Sequence, residues 1–361
     1  MTREMNYHDY LQLDKILNAQ FPESLNRGLP AHDEMLFIIT HQAYEMWFKQ
    51  LHYEVNSILV LMSKPALNDN SPELQTVVHR LNRTATILRV LVHQIDILET
   101  MTPMDFLDFR DMLRPASGFQ SWQFKELEAR LGLKFQHRHG QEYYISQSRP
   151  EHISIIRRAE AEPSLLELVN AWLERMPLAP SAGDSTNKMG TTPVSPGLTS
   201  SSDRQVETGN FWDRYRAAYT DSLVEQEKNN EESFDMIFFD KGLSTGVGEP
   251  RSFSAKACRS ALFIMLYRGY PLLQQPFQLL NALLEIDEQL SSWRYRHMNM
   301  VHRMIGSRIG TGGSSGKEYL KGAADKHYIF KEIAQLNSFL IERRKLPNLS
   351  PDLEKKLGFA G

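Results

Sequence analysis

His32-Asp33-Glu34-Met35-Leu36-Phe37-Ile38-Ile39-Thr40-His41-Gln42-Ala43-Tyr44-Glu45-Met46-Trp47-Phe48-Lys49-Gln50 decides the fold class. Neither Gly nor Pro occurs from Asp33 to Lys64, and Asp33 and Glu34 put acids in the first turn, where a helix N-terminus favours them. The stretch predicts a long helix. Phe37, His41, Tyr44, Phe48, Leu51 and Val55 follow the i, i+3/i+4, i+7 rule, so one titratable imidazole stands in an aromatic and aliphatic stripe. A histidine on such a face is most often a satisfied core residue. A second histidine-bearing stretch far along the chain gives His41 its other reading, as part of a site.

That second stretch is Ser292-Trp293-Arg294-Tyr295-Arg296-His297-Met298-Asn299-Met300-Val301-His302-Arg303-Met304-Ile305-Gly306, again with helical spacing. It runs into Ser307-Arg308-Ile309-Gly310-Thr311-Gly312-Gly313-Ser314-Ser315-Gly316, a loop rich in backbone donors and hydroxyls. The loop lacks the Gly-Lys-Ser/Thr ending of a phosphate-binding P-loop, and no strand precedes it. His297 and His302 lie five residues apart, about 140° around a helix, so only one can face a given pocket squarely. Spacing alone does not choose between them.

Elsewhere the chain repeats helix signals. Ser71-Pro72-Glu73 and Thr102-Pro103-Met104-Asp105 each read as an N-cap with proline at the first helical position. The helix opened at Pro103 carries Phe106, Phe109, Arg110 and Leu113, and Pro115-Ala116-Ser117-Gly118 ends it, leaving Ser117 as a candidate polar contact. An arginine there is either solvated or a planar fork for a carboxylate. Further helices are expected over Ser121–Leu131, Ser164–Met176, Phe211–Glu232, Ser254–Arg268, Pro276–Arg303 and Lys317–Arg344. No strand-like alternation of useful length occurs, so the expected fold class is all-α. His137-Arg138-His139-Gly140 is a polar stretch whose one-residue histidine spacing is weak as a metal motif, and a surface loop is expected.

The 361 residues carry a net charge of -3 with acids and bases mixed, which gives no footprint for nucleic acid or an anionic membrane. With 41% hydrophobic and 10% aromatic residues the chain has ample core material, and a small neutral ligand fits it better than a polyanion. The single cysteine, Cys258, excludes an intrachain disulfide framework. Neither a signal-peptide core nor an apolar run of membrane-spanning length is present, so the cytoplasm is the expected compartment.

The two histidine stretches, with Tyr7–Gln20, Leu98–Arg110 and Arg114–Ser121, resemble the tryptophan 2,3-dioxygenase family, in family order over almost the whole chain. The resemblance implies haem b, iron(II) when active, held by His297 as proximal ligand through an Arg-Tyr-x-His match. It implies His41 on the distal side, bonded to an indole N–H. It implies an L-tryptophan pocket walled by Phe37, Phe106 and Leu113, with Ser117 nearby and Arg110 and Thr311 at the amino-acid end. Dioxygen would be the co-substrate and a homotetramer the assembly, with Tyr7, Tyr10 and Leu11 crossing to a neighbour's pocket. A related haem protein acting on another indole, or a haem-binding sensor, would share His297 and His41.

The expected organisation is an intersubunit segment over 1–30, a first helical part over 31–176, an insertion over 177–210 and a second helical part over 211–361. The insertion is rich in Ser, Thr, Gly and Pro and cannot form a packed core by itself. It is longer than is usual in the family, and His8 stands where glycine is common.

Overall fold

The computed structural model describes residues 4–65, 67, 71–141, 146, 148–176, 180, 210–240, 251–310 and 316–358. Among these the secondary structure is helical, with no strand, as the spacing predicts. Three helices are long: Asp33–Met62, Pro72–Leu98 and Pro271–Ile305. The expected starts hold, with Ser71 capping the Leu74 N–H at 3.1 Å and Thr102 forming a reciprocal capping box with Asp105. The last long helix begins at Pro271 and runs on through Pro276, five residues before its expected start.

Contacts divide the chain into two compact units interleaved in sequence. The first comprises Met1–Leu61, His79–Leu165 and Glu285–Ile329. In it the stripe on Asp33–Met62 packs as read, with Tyr44, Phe48, Leu51 and Val55 buried. The opposite face stays apolar too, since Ile39, Met46, Tyr53 and Val60, spaced seven apart, are all exposed.

The second unit comprises Met62–Val78, Leu166–Leu284 and Phe330–Gly361. Its core is aromatic, with Trp172, Trp212, Tyr215, Tyr219, Phe234, Phe238 and Phe339 buried. Buried phenols need acceptors, and they take backbone carbonyls: Tyr215 that of Phe339 at 2.7 Å, Tyr267 that of Pro347 at 2.6 Å.

Three helical patterns break, and the run expected over Phe211–Glu232 divides into Phe211–Thr220 and Asn230–Phe239. The N-terminal pattern splits into Tyr7–Leu11 and Leu13–Leu17 around Gln12, which sits in the left-handed region at φ 53°. The run expected over Lys317–Arg344 stops at Lys326, because side chains capture the backbone that would continue it. Arg294 donates to the His327 carbonyl at 2.7 Å, and Asp287 accepts the Ile329 N–H at 2.9 Å.

Candidate active site

The site is a cavity of about 290 Å3 within the first unit. Asp33–Met62 contributes Phe37, His41 and Tyr44 to its lining, Pro103–Arg110 contributes Phe106 and Arg110, and Pro271–Ile305 contributes Trp293, His297, Met300 and Met304. Most of this lining is apolar, so its few polar groups stand out.

His41 has a defined tautomer. Its Nδ1 lies 2.7 Å from the Phe37 carbonyl, one turn earlier, and a carbonyl only accepts, so Nδ1 carries the proton. Nε2 is left with a lone pair. Burial pushes the imidazole pKa below its ordinary value, against the Phe37 carbonyl and the Glu45 carboxylate, and so favours the neutral acceptor. Phe37 lies against this ring at 4.1 Å between centroids, stacks on Phe106 at 5.7 Å and meets Phe109 edge-on at 5.6 Å. Leu113 packs with them on the buried cluster of Met101, Phe109 and Met304.

His297 also lines the cavity, whereas His302 is exposed, so the structure separates the two candidates that spacing left open. Desolvation, with a smaller contribution from His41, drives the His297 pKa down to about 4, so the ring is neutral at physiological pH. The Trp293 indole stacks on it at 5.0 Å and 10° between planes. Nδ1 is buried without a hydrogen-bond partner among the described residues. A neutral imidazole in the wall of an apolar cavity has the chemistry of a metal-binding donor. Among the described residues no cluster of three His, Cys, Asp or Glu could hold a bare metal ion.

Arg110 is only 3% exposed, so the solvated alternative does not hold. One arm donates to the Ile309 carbonyl, in the segment that follows the Pro271–Ile305 helix. Ser117 lines the cavity and caps the Gly118–Gln120 turn. Thr311 lies outside the described residues. Tyr7 and Tyr10 are 74% and 68% exposed and Leu11 is half-buried, and none of the three lines this chain's cavity.

One group in the lining escaped the sequence reading. Lys125, Glu128, Arg138, Arg294 and His327 are all buried and all face the cavity. Arg138 belongs to the stretch expected as a surface loop, and only its neighbours His137 and Gly140 are exposed as expected. The available signal was Arg294, three residues before His297 and so close to it around the helix.

A model of the tryptophan 2,3-dioxygenase family matches residues 1–340. The chain is 40% identical to a tryptophan 2,3-dioxygenase of Bdellovibrio bacteriovorus, covering 98% of each chain. It is 42% identical to that of Alteromonas mediterranea, over 98% of this chain and 97% of the relative. It is also 42% identical to that of Xenopus laevis, over 97% of this chain and 86% of the relative.

Proposed function

The chain belongs to the tryptophan 2,3-dioxygenase family, and on that premise we propose how its cavity inserts both atoms of O2 across the indole C2–C3 bond of L-tryptophan, giving N-formyl-L-kynurenine. The observation that carries this reading is that His297 and His41, both neutral, line one apolar cavity. His297 would hold haem b through Nε2. Haem, when bound, supplies the one-electron chemistry through which dioxygen and the closed-shell indole react.

The chain's own residues bind and orient the substrate. His41 Nε2 accepts the indole N–H, fixing the ring's rotation, while Phe37, Phe106 and Leu113 wall its faces and exclude water. Arg110 takes the carboxylate with the N–H groups not given to Ile309, and Thr311 in the glycine-rich loop completes the amino-acid end. Ser117 contributes at the cavity wall.

Tyr7, Tyr10 and Leu11 belong to a neighbouring copy's pocket. Two tyrosines so exposed at a chain end support an intersubunit role. The assembly is read as a homotetramer on the family's pattern, and the compartment as the cytoplasm, where a chain with a single, free cysteine fits. No helix among the described residues is long and apolar enough to cross a membrane.

Haem titration of the purified protein tests the metal assignment. The wild type is expected to develop a Soret band that saturates at one haem per chain, and His297→Ala to lose tight retention while keeping its helical circular dichroism. Equal haem retention by His297→Ala would move the ligand elsewhere.

A further inference from the structure

The charged group in the cavity wall is used by neither the iron reading nor the substrate reading. Three cations and one carboxylate stand buried together there, an arrangement that is costly unless each charge is met. Glu128 is the node. Its Oε1 accepts from Arg294 Nη2 at 2.6 Å and its Oε2 from Arg138 Nη1 at 2.6 Å. Burial alone would raise the Glu128 carboxyl, but Arg138 and Arg294 outweigh it and hold its pKa at about 2.

Each guanidinium has a second arm. Arg294 Nη1 donates to the His327 carbonyl at 2.7 Å, and Arg138 Nη2 to the Lys125 carbonyl at 2.9 Å. The His327 ring closes the circuit, its Nε2 accepting the His139 backbone N–H at 2.9 Å. Packing there is tight, since a Cβ on Gly322 would lie 2.2 Å from His139 Nε2.

The segments joined in this way are the ones that build the site. Arg294 precedes His297 by three residues on the Pro271–Ile305 helix, and the indole stacked on His297 belongs to Trp293, the residue before Arg294. His327 directly follows Gly316–Lys326, the helix after the glycine-rich loop. Glu128 sits on Trp122–Leu131, whose Phe124 packs on Trp293 at 4.8 Å.

We propose that Glu128 is a positioning residue for the iron-binding helix: its grip on Arg294 sets the rotation of His297 into the cavity, and the second arm of Arg294 ties that setting to the segment behind the substrate loop. The inference rests on the haem reading above. The carboxylate is required in both its oxygens and its charge. A glutamine offers one acceptor oxygen to two guanidiniums and removes the carboxylate that meets Arg294, whereas Arg138 keeps Glu160 at 3.7 Å.

The test compares wild type with Glu128→Gln and Arg294→Lys, each loaded with haem. A lysine keeps the charge but cannot reach Glu128 and the His327 carbonyl together. Both variants are expected to release haem to an apoglobin scavenger about tenfold faster or more. Their ferrous iron–histidine stretching band is expected to shift or broaden at a temperature where circular dichroism matches wild type. Glu128→Asp, which keeps the charge, is expected to recover part of the retention and carries the comparison if Glu128→Gln does not fold. A purely structural role would lower the melting temperature and leave that band unmoved, and this result overturns the inference. Wild-type haem release from both variants would overturn it as well. A wild-type protein that takes up no haem would sink the haem reading and the inference together.

Discussion

In Arg110 one buried guanidinium serves the fold and, in the proposed function, the substrate. One arm holds the Ile309 carbonyl, and desolvation lowers the pKa of the side chain from its ordinary value. Arg110→Ala is therefore expected to lower kcat/KM for L-tryptophan by about tenfold to a hundredfold, the worth of a charge-assisted hydrogen bond. Tryptamine, which has no carboxylate, should lose far less. Equal losses for the two substrates would assign Arg110 a structural role only. The pairing of Arg110 with Phe106 one turn away was legible in the sequence, as was His41 on its apolar stripe. The burial of Arg138 was not, because its partner Glu128 sits ten residues earlier on another element and local polarity carries no trace of it.

Elements were legible where capping and periodicity agree. Asp33–Met62 and Pro103–Arg110 start where their acids, Thr102 and prolines say they should. The pattern after Lys317 misled because the groups that end it, Arg294 and Asp287, come from an earlier helix, 33 and 42 residues from their partners. His327, at that break, makes stability depend on pH. Burial lowers its pKa from 6.5 to about 4, so the folded state keeps it neutral while the unfolded chain takes up a proton below pH 6.5. Stability from this group is present above pH 6.5 and falls as the pH drops toward 4, by about 3 kcal/mol at most. His327→Gln keeps an acceptor for the His139 N–H and does not titrate. Denaturant unfolding across this range should show a shallower loss in the variant, and an unchanged slope would remove His327 from the explanation.

For the whole molecule, the helical class followed from periodicity alone, whereas the division into two interleaved units did not, because segments distant in sequence build each one. The proposed assembly would draw on the apolar row of Ile39, Met46, Tyr53 and Val60, which this chain leaves exposed on its first long helix. Rows of this kind mark contact surfaces. Light scattering is expected to give a tetramer, and Met46→Lys with Tyr53→Lys to give smaller species; a monomeric wild type would contradict the intersubunit role of Tyr7, Tyr10 and Leu11. In the proposed function one cavity, lined by His297, His41 and Arg110, oxidises L-tryptophan. Its most direct test is aerobic turnover by the reduced, haem-loaded protein, with N-formylkynurenine followed for L-tryptophan, D-tryptophan and tryptamine. Rapid product from L-tryptophan, with little from the other two, is the expected result. Haem binding without product from L-tryptophan would contradict it.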